Sequence, residues 1–266
     1  MEKVRLSVAI VAKDEEDRLP RTLEAVSDLA DEVVVVVDAS SSDRTAEVAA
    51  RLGARVFIEE WKGYAGQKNS ALEKCRGEWV LFLDADEVPD EGLKEEVRRV
   101  LEEPTAEGYL LRRKAVYAGK PLRFVWGKEY LLRLVRRSAN PRWAGKVHER
   151  LLLDGRVEKL KRGWLYHYTY RSVSEHFQKS LLYAELSALE RFERGRRPSF
   201  WRLVLGPPWA FFKTYLLKGG VLEGWRGLAI AASYAFNALI KELRLRELSL
   251  DQNTKEDVRD FRGLQR

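Results

Sequence analysis

Five consecutive valines, at residues 33–37, constrain the fold more than any other part of the sequence. A β-branched run without polar alternation is typical of a strand covered on both faces, and such strands occur in parallel sheets flanked by helices. Apolar runs at 6–11 and 79–83 alternate with helical patterns at 19–29 and 67–75. The first hundred residues therefore predict an α/β fold with a mainly parallel sheet.

Carboxylates follow these strand patterns, namely Asp14, Asp38, Asp84 and Asp86. Ligands of open parallel sheets bind beyond the carboxyl ends of the strands, so we expect these side chains at the ligand edge. Two ionised carboxylates spaced by one residue repel each other, and the pair Asp84 and Asp86 therefore favours a divalent cation that carries a diphosphate. Acidic side chains also end many solvated strands, which is the competing interpretation.

The pattern changes after residue 107. Short strand-like pieces separated by Gly, Pro and Asn predict an antiparallel extension with loops. Residues 172–194 predict a helix, with Ser174 as a candidate N-cap. We therefore expect three segments, at 1–106, 107–197 and 198–266, of which the last is a helical extension.

Charge and cysteine content limit the classes of partner and the cellular compartment that we expect. Residues 1–106 are net acidic and the remainder is strongly net basic, within a total of +7. A basic half attracts nucleic acid, phosphorylated substrates or an anionic membrane, but no nucleic-acid recognition motif occurs, so we expect no nucleic-acid partner. Cys75 is the single cysteine, which excludes a disulfide framework, and the first five residues lack a signal-peptide pattern. The expected compartment is the cytoplasm.

An ordered set of motifs resembles family 2 glycosyltransferases of the GT-A fold, specifically the branch that builds bacterial lipopolysaccharide core and related envelope polymers. The motifs lie at residues 7–23, 32–45, 63–72 with 79–87, and 147–149 with 167–168. The chain departs from the usual pattern in having Asp14 where Asn is usual, and Ala39 and Ser40 where a small residue followed by Gly is usual. Both departures lie where a nucleotide would sit.

The resemblance implies that residues 1–106 are the nucleotide-sugar-binding half of a GT-A domain and that residues 107–197 are its acceptor-side half. It also implies a set of site residues. Those expected to contact the nucleotide sugar are Ala12, Asp14, Glu15, Asp38, Gln67, Lys68, Asp84 and Ala85. For Gln67 and Lys68, a helix start that follows Gly63 and Gly66 independently favours a phosphate. Asp38 has a competing interpretation as a helix N-cap, with Asp43 as its rival in that role.

Metal and catalytic residues follow from the same resemblance. Asp86 is the expected ligand of Mg²⁺ or Mn²⁺, and Glu149 is the expected base that removes the acceptor hydroxyl proton. His148 is open between metal ligation, orientation of Glu149 and a structural role. Glu149 beside Arg150 also has a simpler interpretation as a surface ion pair, and His167 leans toward a structural role.

Residues 200–240 are rich in Trp, Phe and Leu with interspersed Arg and Lys. No stretch of about 18 uncharged apolar residues occurs, so a spanning helix is not expected. Glycine and proline at 206–208 and 219–220 predict short helices, which is the form of an interfacial anchor on the inner face of the cell membrane. A helical lid or a homo-oligomer interface is the alternative.

The sequence thus predicts an inverting, divalent-metal-dependent glycosyltransferase. It would move a hexose from a nucleotide diphosphate sugar, with UDP favoured, to an envelope glycolipid or polysaccharide. Two alternatives stay open: a non-catalytic membrane-binding scaffold on the same fold, and a sugar-nucleotide pyrophosphorylase. The second lacks support because residues 12–15 do not form the Gly-rich, Arg-bearing loop that grips a triphosphate.

Overall fold

The computed structural model describes residues 4–145 and 149–250. The chain forms two compact units. The first contains the residues up to Ala115 together with Lys128–Tyr168, and the second contains Val116–Gly127 together with the described residues from Thr169 onward.

Nearly all of the strands lie in the first unit. In chain order they are β1 Leu6–Ala12, β2 Glu32–Asp38, β3 Arg55–Glu59, β4 Trp79–Asp84, β5 Glu87–Pro89, β6 Gly108–Tyr117, β7 Lys120–Pro121, β8 Glu129–Arg136, β9 Arg142–Ala144, β10 Arg150–Leu152, β11 Val157–Lys159 and β12 Leu165–Tyr170.

The α-helices differ between the units: four lie early in the chain and three form most of the second unit. In chain order they are α1 Leu19–Val26, α2 Thr45–Arg51, α3 Tyr64–Lys74, α4 Glu91–Glu102, α5 Val173–Glu193, α6 Phe200–Phe212 and α7 Trp225–Leu250. A π-helical turn at Lys213–Leu217 and a 3₁₀ turn at Gly220–Glu223 separate α6 from α7.

The main sheet has the strand order β3-β2-β1-β4-β8-β6-β12-β5, with β7 and β11 paired to β6. Strands β1 to β4 are mutually parallel where they pair, and β8 pairs antiparallel with both β4 and β6. Strands β9 and β10 form a separate antiparallel pair. The predicted α/β class and its parallel first half are confirmed, and β4 is the strand at which the sheet changes direction.

The valines of β2 explain why the sheet is covered on both faces. Val35 and Val37 belong to one buried apolar cluster, whereas Val34 and Val36 belong to another. Successive side chains of a strand point to opposite faces, so an all-apolar strand needs a core on each side. Cys75 lies in the second cluster, where burial raises the pKa of its thiol to about 12.

In the second unit, α5 packs against α7 around Ala184, Ala188, Leu189 and Leu245, which are all buried. His176 on α5 is buried among aromatic side chains. Its Nδ1 lies 2.9 Å from the Tyr117 hydroxyl and its Nε2 lies 2.8 Å from the Ser233 hydroxyl. Both ring nitrogens of His176 are therefore satisfied inside the unit, which identifies it as a packing residue.

Several local predictions need correction. The N-cap of α5 is Ser172, whose hydroxyl accepts from the Glu175 N–H, and not Ser174. Helix α4, capped by the Asp90 carboxylate, was not predicted. Pro207 and Pro208 lie inside α6 and do not end it, because α6 is held by packing against α7.

The compact units also differ from the predicted segments 1–106, 107–197 and 198–266. Strands β6 and β8 extend the sheet that begins with β1, so most of residues 107–168 belong to the first unit. Helix α5 packs on α7, so residues 198–250 complete a core and are not an appendage to it.

Candidate active site

The turn after β4 carries the acidic motif. Asp84 ends β4, Asp86 lies in the turn, and Glu87 begins β5. This turn lies at the carboxyl end of β4, where β1 pairs through Val11 opposite Asp84. The structure therefore places the motif at the edge of the parallel sheet where ligands bind.

Asp84 belongs to a chain of alternating charges. The Arg133 guanidinium lies 2.6 Å from one Asp84 oxygen, and the Lys68 ammonium lies 3.2 Å from the other. Lys68 also contacts Glu149 at 3.1 Å. On the other side Arg133 contacts Glu87 at 3.0 Å, and Glu87 in turn contacts Arg113 at 3.0 Å.

Electrostatic interactions keep the side chains of this row of ion pairs charged. Burial alone would raise the pKa of Asp84, but the positive charges of Arg133 and Lys68 outweigh it and hold the pKa well below its usual range. Burial would lower the pKa of Arg133, and Asp84 and Glu87 instead raise it. Asp84 is therefore ionised at any physiological pH.

Asp86 has a different environment from Asp84. One Asp86 oxygen lies 3.0 Å from the Arg18 guanidinium and 3.4 Å from Nε2 of His167. The structure thus brings His167, which the sequence favours as a structural residue, to the one carboxylate expected to bind metal. Asp84 is paired with Arg133 and Lys68, and Asp86 with Arg18, so the mutual repulsion of the two aspartates does not by itself require a metal.

Helix α3 positions Lys68. The helix follows Gly63, whose φ of 81° few other residues adopt, and it is fastened to β9 because the Asn69 amide bonds both the backbone N–H and the carbonyl of Trp143. The Lys68 ammonium lies over the Trp143 ring at 4.5 Å. This packing holds Lys68 between Asp84 and Glu149.

A cavity of about 370 Å³ opens at this point. Its lining includes Lys68, Asp84, Arg133, Trp143 and Glu149. The size and the convergence of charged groups on one aromatic wall are typical of a site for a small polar ligand. Glu149 is therefore more than the surface partner of Arg150, because its carboxylate faces Lys68 inside the cavity.

The loops after β1 and β2 are tied to each other. The Asp14 carboxylate accepts from the Ser42 N–H at 2.7 Å, and the Glu15 N–H donates to the Thr45 hydroxyl at 2.8 Å. Asp14 has a φ of 53°, a left-handed conformation that Asp and Asn tolerate better than most residues. These contacts fix the shape of the loop edge, and nucleotide contact by Asp14 and Glu15 stays a prediction.

Asp38 is buried, and one of its oxygens accepts from the N–H and the hydroxyl of Ser40 at 2.9 Å each. Its other oxygen lies 3.9 Å from Lys13. The start of α2 is served instead by Asp43, which accepts from the Thr45 N–H. The N-cap interpretation of Asp38 is therefore not supported, while its contact with a nucleotide stays untested.

The remaining residues predicted to contact the nucleotide sugar lie in different environments. Ala12 and Ala85 are buried, and the Ala85 carbonyl accepts from the Thr22 hydroxyl at 2.8 Å. The Gln67 side chain is fully buried, and its amide nitrogen has no hydrogen-bond partner. Ala12 and Ala85 would contact a ligand through their backbone groups. Gln67 would contact a ligand that reaches its buried amide.

His148 lies outside the described residues, so its predicted metal and catalytic roles stay predictions. Within residues 4–145 and 149–250, no three His, Cys, Asp or Glu side chains converge as a metal-binding group. Asp86 nevertheless fits a hard divalent cation, because Mg²⁺ binds through one or two carboxylates and takes its other ligands from water and substrate phosphates; His167 lies beside this carboxylate.

The sequence interpretation missed Arg133, Glu87 and the role of Arg113. Arg133 interrupts the apolar run 131–135, and a buried arginine needs a carboxylate partner, which is a signal that was available. Glu87 is fully buried and accepts from the Asp84 N–H as well as from both arginines. Arg113 therefore pairs with a fully buried carboxylate.

Comparison with known proteins adds family evidence. A model of the family described as Glycosyl transferase family 2 matches residues 7–150. The lipopolysaccharide core biosynthesis glycosyltransferase LpsC of Rhizobium meliloti is 32% identical over 88% of this chain and 90% of that protein. An uncharacterised glycosyltransferase of Rickettsia prowazekii is 29% identical over 92% of this chain and 88% of its own length.

Solved structures show weaker likeness. The chain aligns with residues 1–349 of Staphylococcus aureus TarS with 17% identity, a TM-score of 0.45, and coverage of 92% of this chain and 91% of that one. TarS has also been solved in complex with UDP and with UDP-GlcNAc.

Proposed function

Because the chain belongs to glycosyl transferase family 2 and is a glycosyltransferase of the GT-A fold, we propose that it transfers a hexose from a UDP-sugar to a cell-envelope glycolipid or polysaccharide, with inversion at the anomeric carbon and with Mg²⁺ or Mn²⁺. The observation that carries this proposal is the cavity in which Lys68 joins Asp84 to Glu149.

The donor end of the site is the edge beyond β1, β2 and β4. Asp86 and His167 would hold the cation, which supplies positive charge to the donor diphosphate. Arg18 and Lys68 lie beside the two carboxylates of the motif and add positive charge where the diphosphate would leave. An Asp38 carboxylate suits the imide N–H of uracil, which favours UDP over adenine or cytosine nucleotides.

Glu149 would act at the acceptor. As the new bond forms between the acceptor oxygen and the anomeric carbon, the bond from that carbon to the diphosphate oxygen breaks. The acceptor hydroxyl proton passes to the Glu149 carboxylate. Because the acceptor oxygen attacks from the face opposite the departing diphosphate, a single displacement inverts the configuration.

The acceptor is proposed from the relatives and the charge. LpsC is named for lipopolysaccharide core biosynthesis. The strongly basic sequence after residue 106 suits an acceptor that carries phosphate or carboxylate groups.

A ligand screen tests the proposal without knowledge of the acceptor. We expect UDP with Mn²⁺ to raise the melting temperature more than GDP, ADP or CDP does, since a ligand present at 100 times its dissociation constant adds about 2.7 kcal/mol to the free energy of unfolding. UDP without the metal should do far less. Asp86→Asn should remove the Mn²⁺-dependent part of this stabilisation. Glu103→Gln, which changes an exposed carboxylate at the end of α4, should not.

Turnover then separates the alternatives. Hydrolysis or transfer from a UDP-sugar panel, followed by release of UDP, supports the proposal. Stabilisation by UDP without release of UDP from any sugar donor would favour the scaffold. Failure of every nucleoside diphosphate to stabilise the protein with Mn²⁺ would reject the donor assignment.

A further inference from the structure

Helix α6 is apolar but contains no buried residue. Its partly buried positions, which include Leu203, Pro207 and Ala210, recur at helical spacing, and α6 packs on α7. The stripe on the opposite side of α6 is exposed and equally apolar. We call this outward stripe the α6 face; it consists of Trp201, Val204, Leu205, Pro208, Trp209 and Phe212.

The exposure of this face is large for side chains of this type. Trp201 is 68% exposed, Trp209 57% and Leu205 56%. Exposed apolar side chains continue after the helix at Leu217 and Leu222. A contiguous apolar surface of this kind on a folded protein marks an interaction site.

Charge identifies the partner. The basic residues of the segment 194–228 are Arg194, Arg196, Arg197, Arg202, Lys213, Lys218 and Arg226. Its one carboxylate, Glu223, is buried and accepts from the backbone N–H groups of Arg123 and Phe124. Arg194 pairs with Glu190 and Arg202 with Glu242, both from outside the segment, whereas Lys213 and Lys218 have no carboxylate partner among the described residues and leave positive charge at the border of the apolar face.

We propose that the α6 face docks on the surface of a bilayer that contains anionic phospholipid. The aromatic side chains enter the boundary between headgroups and acyl chains, and the surrounding Lys and Arg contact lipid phosphates. This inference does not depend on the donor or the acceptor of the transfer reaction, because it rests on the surface of α6 alone.

The helix is built to lie in the interface and not to cross it. Among the helices of residues 4–145 and 149–250, none has the length and hydropathy of a spanning segment. Pro207 and Pro208 have no amide N–H, so the carbonyls of Leu203 and Val204 lose their helical donors. Hydrocarbon offers those carbonyls no partner, whereas the hydrated headgroup region does.

A second copy of the chain fits the face less well. In a twofold contact the same patch meets itself, so the basic border would face an identical basic border. Like charges at close range oppose such a contact, and anionic lipid relieves the same charge.

Vesicle co-sedimentation with the full chain tests the proposal. We expect binding to vesicles of equal parts phosphatidylcholine and phosphatidylglycerol, and weaker binding to phosphatidylcholine alone. Trp201→Ser with Trp209→Ser should weaken binding at least tenfold, since each change removes about 100 Å² or more of apolar contact. Lys213→Glu should weaken binding to the anionic vesicles about fivefold or more, and this loss should shrink as salt is raised.

Tyr183→Ser is the matched control, because Tyr183 is 55% exposed on α5 of the same unit. It should leave vesicle binding within twofold of the parent. Unchanged melting temperatures would show that the Trp variants fold normally, as their exposure predicts.

Three results would overturn the proposal. One is recovery of the parent chain in the supernatant with both vesicle types. Another is equal binding by the parent and the double Trp variant. The third is a dimer in sedimentation velocity that the Trp changes dissociate while no vesicle binding occurs, which would assign the α6 face to a second copy.

Discussion

At the scale of single residues, Glu149 is the sharpest test of the chemistry. Glu149→Gln keeps the size and the hydrogen-bonding shape of the side chain but cannot accept the acceptor proton. We expect kcat to fall by about 10² to 10⁴ while UDP affinity changes little. Steady-state kinetics and a UDP titration measure the two effects separately.

Glu103→Gln controls for the loss of one carboxylate elsewhere and should leave kcat unchanged. A Glu149→Gln enzyme with normal kcat would move the base to another residue. A large loss of UDP affinity would instead show that the contact between Lys68 and Glu149 shapes the donor site.

Arg133 is the residue on which the charge chain depends for stability. Arg133→Met leaves Asp84 and Glu87 without their shared buried cation, and we expect a loss of about 3 to 5 kcal/mol in the free energy of unfolding. Arg136→Met on the same strand breaks a partly exposed pair with Glu78 and should cost less than about 1 kcal/mol. Urea denaturation of both variants gives the comparison, and equal losses would refute this view of Arg133.

Residue patterns predicted the acidic motif, Lys68 and Glu149 because strand ends and motif order are local features of the sequence. They did not predict that Arg113, Arg133 and His167 would meet Asp84, Asp86 and Glu87. Those partners lie 26 to 81 positions away in sequence, and the pairing of β4 with β8, of β8 with β6 and of β5 with β12 brings them together.

At the scale of elements, the packing of α5 makes stability depend on pH. Burial lowers the pKa of His176 to about 4 from its usual 6.5. The groups that face its ring, Tyr117, Ser233 and Tyr170, are uncharged and offer no carboxylate to stabilise a protonated ring. Between these pH values the unfolded chain binds the proton that the folded chain excludes, so the free energy of unfolding falls as pH falls.

We expect His176 to account for about 2 kcal/mol of the loss between pH 7 and pH 4.5. His176→Gln keeps a polar side chain that does not titrate, and it should flatten that part of the dependence. Urea midpoints at both pH values measure it. An identical slope in the variant would show that another group controls the acid limb.

Element boundaries up to β4 follow the sequence closely, because hydrophobic period and turn chemistry agree there, whereas β5 and α4 were not predicted. Prediction failed at α6, where two prolines argue against a helix and the apolar packing on α7 outweighs them. Tertiary packing of this kind is not visible in a local window.

At the scale of the whole molecule, the second unit cannot be shortened at the boundary that composition suggests. A chain ending at Arg197 lacks α7, so Ala184, Ala188 and Leu189 on α5 lose their cover. We expect the truncated chain to bind the dye ANS and to be cleaved by protease after Thr169 far faster than the full chain. Equal protease resistance would show that α5 folds without α7.

This outcome decides how membrane association should be tested. Loss of vesicle binding after truncation would confound a missing surface with a missing core, whereas substitutions on the α6 face leave the core intact. The three predicted segments and the two compact units have different boundaries, because sequence composition reports the character of a surface and not which helices share an interior.

The buried position of Cys75 makes the rate of its reaction with a thiol reagent a measure of local opening. With the thiol pKa near 12, only about one molecule in ten thousand carries the reactive thiolate at pH 8, and its sulfur is enclosed between α3 and the sheet. A thiol reagent should therefore modify the native chain only when this region opens, so the labelling rate reports the frequency of opening. A cysteine introduced on an exposed position of α6 would react at once, and a fluorophore could be placed there without first removing the natural cysteine.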